Sequence, residues 1–261
     1  MDLDRQNNMT LLKTALVTGA GARDGIGVAI ARTLAKRGLS VAIAGASARI
    51  HDRAEELRTE GFQITSHVAD LTKAHEVARL RAEVGSVDVL VNNAGMGSVA
   101  APALQRSFLS LTEADWDVGI DVTLKTAFLV TKAFLGDMTE RGIGRIVNIA
   151  SVTGPLVSNE GEAAYSAAKA GMVGMTHALA LEVGRFGVTV NAVAPGWVDT
   201  SASTEEERIA ARHTPLGRAG RPDEIAAAAA FLASEEASYV NGSVLVVDGG
   251  NILQESKVQI G

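Results

Sequence analysis

Residues 14–36 read T-A-L-V-T-G-A-G-A-R-D-G-I-G-V-A-I-A-R-T-L-A-K, and three kinds of chain follow one another in them. Thr14 to Thr18 is a short apolar run stopped by glycine. From Gly25 to Lys36 the apolar residues Ile26, Ile30 and Leu34 recur at helical spacing. The unit is strand, turn, helix. Between strand and helix the glycines let the backbone approach a ligand closely, and the helix start offers free N–H groups and the positive end of its dipole. A pyrophosphate suits that turn. Gly19, Gly21, Arg23, Gly25, Ile26 and Gly27 are therefore candidate contacts for a dinucleotide.

The same alternation continues outward. Strands are expected at Val41–Ala44, Ile64–Val68, Val87–Val91, Arg145–Ile149, Val188–Val193 and Ser243–Val247. Helices are expected up to Gly61, up to Val84, from Asp115 to about Met138, from the Ala-rich run after Gly161 through Tyr165 to about Phe186, and from Pro222 to Ala233. Strands alternating with helices imply right-handed crossovers and a parallel sheet buried on both faces. The predicted fold is α/β, a single-domain Rossmann fold with a doubly wound parallel sheet of about seven strands and helices on both faces. Residues 1–10 are expected to be a flexible leader and 11–261 one domain; no linker or repeat interrupts them. The least regular stretch, Ala194 to Arg221, is the expected lid over a site.

Composition narrows the function. A net charge of −6 supplies no concentrated basic face for nucleic acid. No apolar run reaches the ~18 residues that read as a membrane span. The absence of cysteine removes disulfides and thiolate metal sites and fits a cytoplasmic protein. The histidines at 51, 67, 75, 177 and 213 show no metal-ligand spacing, so no metal is expected. Glu205-Glu206-Glu207 reads as a solvated helix start, where acidic side chains favour the dipole.

A second stretch carries reactive groups. Ser151 to Lys169 reads S-V-T-G-P-L-V-S-N-E-G-E-A-A-Y-S-A-A-K, with Tyr165 and Lys169 four residues apart on one face of a helix. A neighbouring ammonium favours the phenolate and is expected to lower the tyrosine pKa, which makes the pair an acid/base candidate. Ser151, just past an apolar strand, would hold a substrate oxygen. At the end of the second strand, A-G-A-S-A-R (44–49) lacks the carboxylate that would take the ribose hydroxyls of NAD. The missing repulsion, with Ser47 at the turn and Arg23 and Arg49 nearby, favours the 2′-phosphate of NADP(H). The alternative is that Asp24 or Asp52 folds back to serve NAD(H).

Taken together, these motifs resemble the short-chain dehydrogenase/reductase family, in the pattern of its bacterial 3-oxoacyl-[acyl-carrier-protein] reductase-like ketoreductases, over nearly the whole chain. The resemblance implies roles for particular residues. Ser151, Tyr165 and Lys169 fall on the catalytic positions, with Lys169 also holding the nicotinamide ribose. Asp70 in A-D-L-T falls on an adenine contact, and Asn92-Asn93-Ala94-Gly95 on the segment that braces the cofactor. Pro195, Gly196, Val198 and Thr200 fall on the run that cradles the nicotinamide amide. Pro215-Leu216-Gly217-Arg218 and the later V-D-G-G match the C-terminal third. The implied activity is NADP(H)-dependent interconversion of a ketone or 3-oxoacyl group and a secondary alcohol, by a homotetramer. Small residues on the Tyr165 helix (Ala163, Ala167, Ala170, Gly171, Gly174) echo that assembly, with Ala164, Ala168, Met172 and Met175 as apolar area.

The chain also departs from the pattern. Its glycine turn is two residues longer than usual, and one extra residue separates Ser151 from Tyr165. Thr123 stands where the family has an asparagine that fixes a relay water, so Thr123 is carried as a fourth catalytic candidate. Gly142 and Phe186 occupy positions where carrier-protein enzymes tend to be basic, although Arg141 and Arg185 are adjacent. Two rival readings stay open: an NAD-dependent alcohol or sugar dehydrogenase, and a cofactor-binding regulator that has lost turnover.

Overall fold

The computed structural model describes residues 12–96 and 104–255. The expected leader, residues 1–10, lies outside them. The elements are β1 (Thr14–Thr18), α1 (Ile26–Lys36), β2 (Ser40–Gly45), α2 (Arg49–Thr59), β3 (Ile64–Val68), α3 (Ala74–Val84) and β4 (Val89–Asn92). Then come α4 (Glu113–Ile120), α5 (Thr126–Arg141), β5 (Gly144–Ile149), α6 (Ala163–Val183), β6 (Val188–Pro195), α7 (Glu205–Arg212), α8 (Pro222–Leu232) and β7 (Val244–Val247).

All seven strands form one parallel sheet in the order β3-β2-β1-β4-β5-β6-β7. The order reverses between β1 and β4, and the carboxyl ends of the strands beside such a switch point are where open α/β sheets bind ligands. Both faces are covered, as the apolar strands require. Along β1, Ala15 and Val17 face a layer built from α1, α2 and α8, while Leu16 faces α3, α5 and α6. Ile43 and Ala42 divide the same way along β2. Phe134 of α5 is 1% exposed at the heart of the second layer. Truncating a side chain buried to that degree costs about 3–5 kcal/mol.

Two expectations change. The helix expected from Asp115 to Met138 is two helices joined by one π-helical turn, Asp121–Lys125, which contains Thr123. The extra residue shifts the helical register there, and single π turns recur at functional sites. The segment expected as an irregular lid contains α7, whose start is fixed by a capping box: Thr204 accepts the Glu207 N–H, and Glu207 accepts the Thr204 N–H. Among the described residues no helix is long and apolar enough to cross a membrane.

Candidate active site

The switch point opens into a cavity of about 690 Å³ that runs from the end of β2 to the start of α6. Its floor is the glycine turn, which packs against the loop after β4 with no room to spare. A Cβ on Gly19 would lie 2.7 Å from the Ala94 Cα, and one on Gly27 2.6 Å from the Gly19 carbonyl. Asn93 holds the two loops together by donating to the Thr18 and Gly19 carbonyls at 3.1 and 3.0 Å. The Thr18 hydroxyl in turn accepts the N–H groups of Asn93 and Ala94 at 3.0 and 3.1 Å. Gly21 is the opposite case, because a Cβ there meets nothing within 4 Å. Gly25 caps α1 without a side-chain bond, and no acidic residue sits in the first turn. The opening N–H groups of α1 thus keep both their donors and their dipole for an anion. These residues fit a diphosphate.

At the far end of the cavity, Gly45, Ala46, Ser47 and Arg49 form the wall, and Arg49 Nε donates to Ser47 Oγ at 3.3 Å. Arg23 is elsewhere. It is 81% exposed, lies 3.7 Å from Glu56, and forms no part of the wall. It lies toward α2, so of the two arginines Arg49 is the one at the cavity. Asp24 does not turn to the β2 end either; it accepts a hydrogen bond from Ser201 at 2.7 Å, across the cleft. Asp52 sits in the first turn of α2, away from the cavity wall. Asp70 lies on the wall. The Thr72 hydroxyl and N–H, at 2.6 and 3.0 Å, hold its carboxyl below the usual range.

Ser151, Tyr165 and Lys169 meet at the other end. Ser151, just past β5, has its oxygen fixed by the Thr153 N–H at 3.0 Å. Lys169 is 4% exposed and donates to the Ile149 carbonyl at 2.7 Å, which ties α6 to the end of β5. Burial pulls its ammonium down to about 8. Burial also pushes the Tyr165 phenol up to about 12, against a hydrogen bond from Ser151 and with Glu162 and Glu207 adding to the rise. The expected lowering of the tyrosine by the lysine is therefore not what this geometry produces. The Lys169 nitrogen lies 5.7 Å from the ring centroid and spends a donor on Ile149, while enclosure drives both groups toward their neutral forms. At neutral pH the Tyr165 phenol keeps its proton.

Thr123 and Asn92 stand behind the wall rather than on it. Thr123 is fully buried and accepts the Met96 N–H at 3.2 Å. A Cβ on Gly95 would lie 3.5 Å from its hydroxyl and 3.8 Å from Lys169 Nζ. The threonine thus underlies the loop that passes the lysine. Asn92, 2% exposed, donates to Thr131 and Asn148 at 2.8 and 2.9 Å in a ladder beneath the strand ends. Gly95, Pro195, Gly196, Val198 and Thr200 line the cavity. Gly196 sits there because a Cβ would be 2.7 Å from that of Asp248, the aspartate of V-D-G-G.

Among the wall residues, Gln105, Glu162 and Glu207 have no individual role in the sequence reading, which takes Glu207 as part of a solvated helix start. Glu162 precedes Tyr165 by three residues, so helical spacing alone could have placed it on the Tyr165 face. On α6 itself, Ala164, Ala168 and Met172 are buried in the subunit's own interior, which corrects their assignment as area for another helix. Met175 joins Phe128, Leu135, Leu179 and Phe186 around a shallow groove between α5 and α6.

Comparison with known proteins agrees with this architecture. The family model described as enoyl-(acyl carrier protein) reductase matches residues 19–251. The oxidoreductase UcpA of Salmonella typhimurium is 40% identical over 260 residues, covering 94% of this chain and 96% of that protein. The 3-oxoacyl-[acyl-carrier-protein] reductase FabG of Rickettsia prowazekii is 39% identical, with 92% and 97% covered. A solved structure of a short chain dehydrogenase/reductase family protein superposes with a TM-score of 0.84 at 37% identity, covering 93% of this chain and 98% of its own.

Proposed function

The chain belongs to the short-chain dehydrogenase/reductase family, and from that premise we propose that it is an NADP(H)-dependent oxidoreductase interconverting a ketone and a secondary alcohol. The observation that carries the proposal is the meeting of Ser151, Tyr165 and Lys169 in one cavity with the glycine turn. The residues of the glycine turn and Lys169 would hold a nicotinamide cofactor, which would supply or take the hydride. The Ser151 hydroxyl, oriented by the Thr153 N–H, holds the carbonyl oxygen. Tyr165, neutral at pH 7, gives that oxygen its proton as the alkoxide forms. Lys169 keeps two of its three N–H donors after bonding Ile149, enough to hold ribose hydroxyls, and its charge offsets the phenolate left behind.

The cofactor reading rests on the β2 end, where Ser47 and Arg49 stand without a carboxylate and Asp24 is engaged by Ser201. The groove between α5 and α6 supports a homotetramer, and a cytoplasmic location completes the proposal. A panel of ketones and β-ketoacyl thioesters, followed by loss of NADPH and separately of NADH absorbance, tests it. Turnover is expected with NADPH. Tyr165→Phe should cut kcat by about 10² or more, the usual share of general acid catalysis, with NADPH binding retained. No oxidation of either cofactor with any carbonyl would leave the regulator reading in its place.

A further inference from the structure

The substrate end of the cavity carries a carboxylate that the proposed chemistry does not use. Glu162 is the residue just before α6, three positions ahead of Tyr165, and it is only 6% exposed. Both of its oxygens are held by neutral amides: Asn159 Nδ2 donates to Oε2 at 3.0 Å and Gln105 Nε2 to Oε1 at 3.4 Å. All three residues line the same cavity as Tyr165. Two amide donors fix the carboxylate's orientation without cancelling its charge, and each oxygen keeps a further lone pair for a donor in the cavity.

Among the described residues no cation is paired with that charge. Arg208, on α7, lines the cavity but is paired with Asp199 at 3.3 Å. Arg106 is paired with Asp115 at 2.8 Å, outside the wall, and Arg49 stands at the β2 end. Glu207 brings a second carboxylate to the wall, and the phenol of Tyr165 feels both. An anionic substrate would meet two negative charges here. A cationic one would meet Lys169, which is held at the same end of the cavity.

Resting on the reading of this cavity as a carbonyl reductase site, we propose that Glu162 is its specificity-determining residue. It accepts the hydroxyl hydrogen of a neutral hydroxylated ketone, of the polyol or sugar class, whose carbonyl is held by Ser151 and Tyr165. Gln105 and Asn159 act through Glu162 as positioning residues.

Three probes on one skeleton test this with NADPH: cyclohexanone, 2-hydroxycyclohexanone and 3-oxocyclohexane-1-carboxylate. Wild-type kcat/KM should be highest for the hydroxyketone, by about tenfold or more over the parent, the scale of one hydrogen bond to a charged acceptor. The carboxylate should be the poorest. Glu162→Gln keeps the shape and removes the charge. It should bring the hydroxyketone-to-parent ratio down about tenfold, mainly through KM, while the carboxylate gains. A merely structural role would move all three substrates together, and that result overturns the proposal, as does a wild-type preference for the carboxylate. Binding of the same three compounds to the NADPH-mixed protein, followed by saturation-transfer NMR, needs no turnover. If no carbonyl is reduced, the oxidoreductase reading fails by itself, and the specificity proposal fails separately if the hydroxyketone binds wild type no better than its parent.

Discussion

Replacing Lys169 by methionine should make the protein less active and, near neutral pH, more stable. The lysine is almost fully enclosed, and burial brings its pKa from 10.5 to about 8. At about 1.36 kcal/mol per pKa unit, holding the charged form inside costs about 3 kcal/mol relative to the unfolded chain. Methionine removes that cost and fills nearly the same volume, but it leaves the Ile149 carbonyl without its donor at 2.7 Å, a loss of about 1–2 kcal/mol. Below pH 8 the variant should therefore be ahead by about 1–2 kcal/mol. Between the folded value near 8 and the unfolded value of 10.5, the unfolded wild type binds a proton that the folded form has released. Wild-type stability thus climbs with pH across that window. Above it the burial cost is gone, the hydrogen bond remains, and wild type should lead by about 1–2 kcal/mol. Equilibrium urea unfolding of both proteins without cofactor, at matched concentration and at pH 7, 9 and 10.5, reads the difference directly. The titration of Tyr165 is common to both and cancels. A stability difference that stays flat from pH 7 to 10.5 would refute the reasoning, because it would mean that the lysine is not held against its charge.

Three further outcomes follow from the same geometry. Thr123→Val should lower kcat several-fold while NADPH affinity holds, if the hydroxyl beneath Gly95 orders the proton path to Lys169; unchanged kcat across the pH range would route the path elsewhere. At Gly45 a Cβ meets Ile50 at an ordinary 3.5 Å, so Gly45→Asp should fold. Its charge, worth about 1–4 kcal/mol against a phosphate some 4 Å away, should raise KM for NADPH at least tenfold more than for NADH, and a wild type that already prefers NADH would sink the β2-end argument. The groove lined by Phe128, Leu135 and Phe186 predicts a tetramer mass in light scattering at micromolar concentration, and a monomer mass would remove it.

What the sequence made legible was whatever depends on residues close together in the chain. The alternation of apolar runs and helical spacing located the seven strands, because a strand buried on both faces, as β1, β2 and β4 to β6 are, is largely apolar and a surface helix has to be striped; edge strand β3, I-T-S-H-V, is only partly buried and was found by its place in the alternation. The four-residue spacing of Tyr165 and Lys169 placed them on one face for the same reason. What stayed hidden depends on distant partners. Nothing local to Asp121–Lys125 announces a π turn. The lysine's effect on the tyrosine could not be read because it is decided by the Ile149 carbonyl, twenty residues upstream, and by how deeply both groups are enclosed. Its place in the glycine turn suggests Arg23 for the phosphate end, whereas the fold sets it against Glu56 and brings Asp24 to Ser201, 177 residues away. Glu162 combines the two cases. Its face was readable from its place three before Tyr165, but whether a carboxylate there looks into solvent or into the cavity is settled by Gln105, 57 residues away. The departures from the family pattern, at the glycine turn and before Tyr165, are thus the positions where local reasoning loses its grip. Glu162, to which the proposed selectivity is assigned, lies in the stretch before Tyr165, while the Lys169–Ile149 hydrogen bond ties the helix that carries Tyr165 to the end of β5.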